Sequence, residues 1–366
     1  MDALTTPSNW QRVRLGDICE IVKGQQINKI SLNNTDKYPV INGGIDFLGY
    51  TNKFNVSKNT IAISEGGTCG YVRFMKSDFW SGGHNYSLQK ISNKVNNLCL
   101  YHILKSYEKD IMKLGVGSGL KNIQLKALKD FEIPLPPLNE QIAIANILSE
   151  VDRYLYSLDA LILKKESVKK ALSFELLSQR KRLRGFNQNW QRVRLGDICE
   201  IVKGQQINKI SLNNTDKYPV INGGIDFLGY TNKFNVSKNT IAISEGGTCG
   251  YVRFMKSDFW SGGHNYSLQK ISNKVNNLCL YHILKSYEKD IMKLGVGSGL
   301  KNIQLKALKD FEILLPPLDE QIAIANILSG LDHEIISLKN KKRQFENIKK
   351  ALNHDLMSAK IRVLKK

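Results

Sequence analysis

Polar side chains suited to hydrogen bonding with nucleic acid are concentrated in a few glycine-containing loops of this 366-residue chain, and each loop occurs twice. Arginine can make paired hydrogen bonds to guanine, glutamine or asparagine can do so to adenine, and lysine contacts phosphate. For any one of these residues a solvated turn position is an equally good interpretation. The candidate contacts are Lys23, Gln25, Gln26, Asn28, Lys29, Thr68, Tyr71, Arg73, His84, Asn85, Tyr86, Ser118, Lys121 and Asn122, with the copies Lys203, Gln205, Gln206, Asn208, Lys209, Thr248, Tyr251, Arg253, His264, Asn265, Tyr266, Ser298, Lys301 and Asn302.

Patterns that would indicate catalysis are not found. The glycine-rich run 115–119 is superficially like a nucleotide or S-adenosylmethionine loop, but a helix-like segment precedes it where a nucleotide-binding fold has a strand. Its neighbours Lys113, Lys121 and Asn122 favour a flexible loop that meets phosphate oxygens through backbone N–H groups and lysines. The histidines have neither triad partners nor metalloprotease spacing. The sequence therefore predicts binding without catalytic residues and without a cofactor in this chain.

The formal net charge of +20 is spread over the whole chain. By our count from the sequence, residues 9–149, 150–188, 189–329 and 330–366 carry +6, +4, +5 and +6, so the excess is not confined to a basic tail. A basic surface on every part of a folded protein favours a long polyanion such as DNA or RNA. General solubility is the competing explanation.

The six cysteines are three cysteines repeated, with no C-x-x-C pair and no histidine spacing typical of zinc. We expect reduced, partly buried thiols and no metal site. No run of apolar residues reaches membrane-spanning length, and residues 1–7 do not resemble a signal peptide. These features predict a cytoplasmic protein without membrane contact.

The elements that must position the polar loops are themselves duplicated. Residues 9–149 recur at 189–329 with a constant offset of 180, and only Pro134/Leu314 and Asn139/Asp319 differ. Short apolar runs at 18–22, 40–41, 60–63, 70–75, 86–88 and 131–133 predict strands, and the stripe of Leu98, Tyr101, Leu104 and Tyr107 predicts a helix over 97–114. Each copy is therefore expected to be a mixed α/β or α+β domain.

A long amphipathic helix is predicted to follow each copy. Two prolines end the module at 136–137, and Asn139 is expected to cap a helix reaching the neighbourhood of Arg184, about 43 residues and roughly 65 Å long. Its apolar stripe is Ile144, Leu148, Val151, Leu155, Leu158, Ile162, Val168 and Leu172, and that of the second copy is Ile324, Leu328, Leu331, Ile335, Leu338, Phe345, Ile348, Leu352 and Leu356.

These two stripes are typical of a coiled-coil seam. Neither helix can bury its stripe alone, so we predict an intramolecular antiparallel coiled coil that holds the two modules apart as a ruler. Packing of each helix on its own globular domain is the alternative. The predicted fold is α+β with a tandem, pseudo-two-fold duplication, divided into recognition domains at 1–138 and 185–318 and helical regions at 139–184 and 319–366.

The sequence resembles the specificity (S) subunit of Type I restriction-modification systems over nearly its whole length. The residues that carry the resemblance are 10–18 and 190–198 at the start of each module, 133–141 with 144–145 and 314–325 at its end, and 117–123 shortly before the helical region. The resemblance implies a non-catalytic subunit that reads a bipartite double-stranded DNA site, one half per recognition domain, with an unread spacer set by the helices.

The resemblance also implies partners. Two methyltransferase (M) subunits would carry S-adenosylmethionine and methylate adenine, and in the restriction complex two motor-nuclease (R) subunits would use ATP and Mg²⁺. The helical regions would serve as the surface on which the M subunits dock. This chain departs from typical members, whose two recognition domains are dissimilar, because its modules differ at two positions only. We therefore expect an interrupted palindrome with identical half-sites on opposite strands.

Two other function classes compete with this interpretation. A nuclease or methyltransferase acting alone would need the catalytic motifs that the sequence does not show, and an assay of the purified chain with S-adenosylmethionine and DNA would reveal it. A free-standing regulator or scaffold held together by its coiled coil would purify without M subunits, whereas a specificity subunit should bring them along.

Overall fold

Two compact units make up residues 9–363, the part of the chain that the computed structural model describes. One unit contains the residues up to Asp159 together with those from Lys341 onwards, and the other runs from Ala160 to Asn340. The division cuts both long helices. Each unit therefore combines one copy of the repeated module with a segment of each long helix.

The first unit contains eleven strands and four short helices before its long helix begins. A 3₁₀ turn, Lys29–Ser31, lies between the second and third strands. In chain order the elements are β1 (Gln11–Arg14), α1 (Leu15–Ile18), β2 (Glu20–Lys23), β3 (Tyr38–Ile41), β4 (Gly49–Thr51), β5 (Thr60–Ser64), β6 (Val72–Met75), β7 (Trp80–Ser81), β8 (Asn85–Gln89), α2 (Asn97–Ser106), α3 (Glu108–Lys113), β9 (Gly115–Val116), β10 (Asn122–Ile123), α4 (Leu125–Lys129), β11 (Glu132–Leu135) and α5 (Leu138–Leu177).

The main sheet of this unit is antiparallel, with strand order β2-β8-β5-β6, and a smaller sheet has the order β4-β3-β7. Both faces of β5 are buried, as its apolar composition requires. Ile61 and Ile63 point into the core beneath the short helices, while Ala62 joins a second cluster with Ile41 and Phe79. Successive side chains on a strand face opposite ways, so one strand can serve two cores. This double anchorage fixes the loops at its carboxyl end.

Most of the predicted secondary structure is confirmed. The segments 40–41, 60–63, 70–75, 86–88 and 131–133 all contain strands. The segment 18–22 is a strand only from Glu20, because residues 15–18 form a helical turn closed by a 3.2 Å hydrogen bond from the Cys19 amide to the Leu15 carbonyl. The helix predicted over 97–114 is interrupted at Tyr107, whose φ of −92° and ψ of 9° are not helical.

The long helix α5 differs from its prediction at both ends. It begins at Leu138, so Asn139 lies in the first turn and is not the cap. It ends at Leu177, well short of Arg184. The cause of the early end is Gln179, which adopts a left-handed φ of 61°, while the Lys181 amide donates to the Glu175 carbonyl at 3.0 Å. This is the hydrogen-bond pattern that closes many helices. The 40 residues of α5 span about 60 Å.

A buried carboxylate and a buried amide attach the start of α5 to the module. Glu140, 3% exposed, accepts a hydrogen bond from the Trp10 indole nitrogen at 3.2 Å. It also accepts two from Arg362, at 2.7 Å from Nε and 3.0 Å from Nη2. The Gln141 side chain accepts from the Asn96 amide at 2.7 Å and donates to the Pro136 carbonyl at 2.7 Å. The residues that follow the two prolines thus attach the helix to the module.

Within the first unit α5 pairs antiparallel with the last part of a second long helix, α10 (Leu318–Met357). Asp152 Oδ1 lies 2.5 Å from Lys349 Nζ, and Asp159 Oδ1 lies 2.6 Å from Lys342 Nζ. As the residue number rises along one helix it falls along the other, which defines the antiparallel direction. Leu356 and Met357 of α10 enter the module core beside Ile144, Ala145 and Leu148 of α5.

The second unit repeats the same elements. The α5 segment from Ala160 onwards and α10 up to Asn340 belong to it. A 3₁₀ turn is assigned to Lys209–Ser211. Its strands and helices are β12 (Gln191–Arg194), α6 (Leu195–Ile198), β13 (Glu200–Lys203), β14 (Tyr218–Ile221), β15 (Gly229–Thr231), β16 (Thr240–Ser244), β17 (Val252–Met255), β18 (Trp260–Ser261), β19 (Asn265–Gln269), α7 (Asn277–Ser286), α8 (Glu288–Lys293), β20 (Gly295–Val296), β21 (Asn302–Ile303), α9 (Leu305–Lys309) and β22 (Glu312–Leu315).

The helix pairing in the second unit is antiparallel as well. Lys165 lies 2.5 Å from Glu334, and Lys169 lies 2.5 Å from Asp332. The predicted antiparallel pairing of the long helices is therefore confirmed within each unit. The alternative, that each long helix packs on its own module, also holds for the beginning of α10, because Ile324 and Leu328 are buried in the core of the second module.

Two predicted seam positions are wrong. Val168 is 44% exposed and Ile348 is 51% exposed. A coiled-coil seam advances by alternating steps of three and four residues. From Ile162 these steps reach Lys165 and Lys169, whereas Val168 lies six residues on. The half-buried lysines take the inner positions and direct their ammonium groups to acidic residues on the facing helix.

Candidate nucleic-acid interface

Three loops of the first module meet at the carboxylate of Glu65, which is 9% exposed and follows β5. Lys23 Nζ lies 2.7 Å from Glu65 Oε1. The Tyr86 hydroxyl donates to the same oxygen at 3.3 Å, and His84 Nδ1 lies 3.9 Å from Glu65 Oε2. We name Lys23, Glu65, His84 and Tyr86 the Glu65 cluster. It brings together three of the predicted site residues: Lys23 at the end of β2, and His84 and Tyr86 at the start of the neighbouring strand β8.

Backbone hydrogen bonds fix a fourth loop to this cluster. The Ile123 amide donates to the Glu65 carbonyl at 2.9 Å, and the Tyr86 hydroxyl donates to the Ile123 carbonyl at 3.0 Å. The run 115–123 is therefore a hairpin of β9 and β10 anchored beside Glu65. Asn122 packs on Gly66, where an added Cβ would lie 2.3 Å from the Asn122 side-chain oxygen. Glycine at position 66 thus permits the close approach of the hairpin.

Most predicted contact residues have exposed or half-buried side chains. Tyr71, Arg73 and Thr68 are half-buried. Asn85 and Tyr86 are each 2% exposed and lie beneath the surface. The residues whose side chains are exposed are Lys23, Gln25, Gln26, Asn28, Lys29, His84, Ser118, Lys121 and Asn122.

Asn85 and Tyr86 are buried beneath the exposed loops and make hydrogen bonds inside the module. Burial raises the pKa of Tyr86 to about 12, and the negative charge of Glu65 adds to the shift. The phenol therefore stays protonated near neutral pH and donates its proton to Glu65 or to the Ile123 carbonyl. Asn85 lies beside Ser64, whose hydroxyl is 3.4 Å from the asparagine side-chain oxygen.

Arg73 holds a neighbouring loop in place. One of its terminal nitrogens donates to the carbonyls of Gly44, at 3.0 Å, and Ile45. The guanidinium lies over Phe47 and Tyr71 at 5.4 and 5.3 Å from the ring centroids. Burial lowers its pKa. In this structure the side chain positions the loop that follows β3.

Sequence reasoning missed Glu65 and Asn42. The Asn42 side-chain oxygen accepts a hydrogen bond from the His84 amide at 3.0 Å, which ties the turn after β3 to the cluster. Glu65 was visible only as the acidic residue before Gly66 and Gly67, a turn position in a basic module. An acidic residue directly after a fully apolar strand could have drawn attention to it.

The second module has the same arrangement. Glu245 lies 2.6 Å from Lys203, 3.4 Å from the Tyr266 hydroxyl and 3.8 Å from His264 Nδ1. Asn265 and Tyr266 are again 2% exposed. The remaining predicted residues of this copy have equivalent burial, with exposed side chains at Lys203, Gln205, Gln206, Asn208, Lys209, His264, Ser298, Lys301 and Asn302 and half-buried ones at Thr248, Tyr251 and Arg253.

The cysteines of residues 9–363 are free thiols. All six thiols are unpaired by disulfides, and burial raises the pKa of Cys19, Cys99, Cys199 and Cys279 to about 12. Within the same range no group of three or more His, Cys, Asp or Glu side chains is placed to hold a metal ion. None of the helices described there has the length and apolar character required to cross a bilayer.

The two modules, each with a cluster of polar loops, form a tandem duplication of one domain type. A family model for the Type I restriction modification DNA specificity domain matches residues 7–165 and again 187–347. The chain belongs to this family. Membership confirms the resemblance seen in the sequence and the expectation of a recognition component that is not itself an enzyme.

Individual relatives agree with this assignment. A protein assigned as a type I specificity subunit of Mycoplasma genitalium is 32% identical over 83% of this chain and 82% of its own length. The Type I restriction enzyme MjaVIII specificity subunit of Methanocaldococcus jannaschii is 26% identical over 99% of this chain and 95% of its own. A crystal structure of a Type I restriction-modification S subunit from M. genitalium matches with a TM-score of 0.75 and 27% identity, covering 96% of this chain and 97% of that one.

Proposed function

We propose that this specificity subunit reads a bipartite double-stranded DNA site, with one half-site contacted by the exposed loops of each module. The observation that carries the proposal is the recurrence of the Glu65 cluster, with matching distances, around Glu245. Each cluster fixes polar side chains that can pair with base edges or phosphates. Asn85, Tyr86 and their copies support these loops from within the module.

Near-identity of the modules leads us to propose an interrupted palindrome as the target. Two readers with the same side chains at the same distances should prefer the same base pairs. Identical half-sites would then be read on opposite strands, as for dimeric repressors. The length of α5 and α10, 40 residues each, would set the spacer.

We further propose that the chain acts with methyltransferase subunits. S-adenosylmethionine would be bound by two such M subunits, which would methylate adenine in the site, and two R subunits using ATP and Mg²⁺ would join them for restriction. The exposed faces of α5 and α10 are the surface we propose for docking of the M subunits, because residues such as Leu163 remain 67% exposed there.

The test is a selection from random-sequence duplexes with the complex purified by a tag on this chain. We expect M subunits to copurify and a two-part motif to emerge. Binding should weaken steeply with salt, because lysines displace counterions from phosphates. A chain that purifies alone and selects no motif would support a regulator or scaffold. Methylation of DNA by the chain alone would show that it is an enzyme.

A further inference from the structure

The tip of the β9–β10 hairpin, residues 117–121, carries an exposed leucine in the middle of the polar surface. Leu120 is 81% exposed and lies between Gly119 and Lys121. Leu300, its copy, is also 81% exposed. Single exposed apolar residues are common on proteins and carry no meaning by themselves. The surroundings of this leucine distinguish it.

The base of the hairpin is held rigidly. Ile123 is fully buried, and its amide and carbonyl bond to Glu65 and Tyr86. On the other strand Gly115 packs on Cys69, because an added Cβ would lie 2.5 Å from the cysteine sulfur. The hairpin therefore projects from the Glu65 cluster as a fixed element.

Glycine shapes the tip. Gly117 has a φ of +133°, which side chains rarely adopt, and an added Cβ would lie 2.5 Å from the Leu120 carbonyl oxygen. Gly119 has no atom within 4 Å of an added Cβ, so the tip is open to the surroundings. A narrow tip without bulky neighbours can enter a space that a broader loop could not.

We propose that Leu120 and Leu300 act as apolar wedges that insert between neighbouring base pairs of the half-sites. The inference rests on the proposed DNA-binding function and adds a mechanism to it. An inserted leucine would be removed from water, which compensates for part of the lost base stacking. Lys121, which follows Leu120, and Lys301, which follows Leu300, would contact phosphate beside the opened base-pair step. Preference for base steps that unstack easily would then contribute to specificity without hydrogen bonds to bases.

The experiment uses the complex copurified with this chain and the duplex recovered by selection, with 2-aminopurine replacing in turn each adenine of a half-site except the one that is methylated, because a methyltransferase itself flips its target base out of the stack. We expect 2-aminopurine fluorescence to rise on binding at one step of each half-site. Leu120→Ala with Leu300→Ala should abolish the rise and weaken binding about fiftyfold per copy, since each loses the burial of three carbon atoms. The slope of log affinity against log salt should not change.

Two matched variants separate the wedge from other contacts. Ile30 and Ile210 lie in the 3₁₀ turns and are 91% and 92% exposed, so they are at least as exposed as the two leucines. Ile30→Ala with Ile210→Ala should leave the fluorescence rise intact. Lys121→Ala with Lys301→Ala should reduce the salt slope by about two while the rise persists.

The outcomes distinguish the two levels of the proposal. Sequence-specific binding without any fluorescence rise, or a rise that persists in the leucine variant, would overturn the wedge and leave DNA recognition standing. A rise lost in the isoleucine variant and kept in the leucine variant would also overturn it. An unmodified complex that binds no sequence specifically would refute the proposed function and the wedge together.

Discussion

Replacing Arg362 with alanine is expected to leave the buried carboxylate of Glu140 without its cationic partner. The carboxylate is 3% exposed and would keep only its 3.2 Å hydrogen bond from Trp10. Removing one partner of a buried ion pair costs about 3–5 kcal/mol. The Arg362 side chain is 33% exposed, so water screens part of the interaction, and we expect a loss near the lower end, about 3 kcal/mol.

Differential scanning calorimetry measures this loss. For a unit of this size 1 kcal/mol shifts Tm by about 2–4 °C, so the transition of the unit that contains Glu140 should fall by about 6–12 °C. Arg182→Ala provides an internal replicate, because Arg182 makes the same paired contacts to Glu320 at 2.8 and 2.7 Å.

Arg153→Ala is the matched control. Arg153 also pairs with a glutamate, Glu150 at 2.9 Å, but the two side chains are 71% and 65% exposed. Exposed pairs contribute up to about 1 kcal/mol, so Tm should fall by no more than about 4 °C. Equal shifts for the buried and the exposed arginine would refute the reasoning that Glu140 depends on Arg362.

Three further predictions concern pH, the equivalence of the copies and the helix seam. Burial, reinforced by the charge of Lys349, lowers the pKa of His102 to about 4. The stability that the neutral imidazole provides is therefore complete above its ordinary pKa of 6.5 and declines by up to about 3 kcal/mol towards pH 4. His102→Gln should flatten the plot of urea unfolding midpoint against pH between these values, and an unchanged plot would contradict this. Lys121→Ala and Lys301→Ala should weaken DNA binding equally when measured singly by titration, and markedly unequal losses would show that the modules are not equivalent. Val168→Lys should change the free energy of unfolding by about 0.5 kcal/mol or less, whereas Leu158→Lys, at a 5% exposed seam position, should cost several times more in the same urea experiment.

Much of the architecture could be predicted because it depends on local patterns. The repeat is visible as a constant offset, the strands as short apolar runs, and the long helices as stripes with steps of three and four. The exact seam could not be predicted at Val168, because apolar character favoured it while the geometric step led to Lys169. The half-buried Lys169 pairs with Asp332 on the facing helix, a contact that depends on the fold.

The residue types of the candidate site could be predicted from the sequence, but the burial of those residues could be predicted only in part. Lys23, His84 and Lys121 lie on the surface as expected of contact residues. Asn85 and Tyr86 occupy a strand between β2 and β5, so their neighbours bury them whatever their polarity. Glu65 was missed because its role depends on Lys23, His84 and Tyr86, which the folded sheet brings to it from other parts of the sequence.

Mapping methylated adenines across a genome that carries this subunit with its methyltransferase partners tests the central claim most directly. The proposal that two equivalent modules read the site predicts one interrupted motif whose two halves are identical when each is read on its own strand. Two unrelated half-sites, or a motif without a gap, would contradict it.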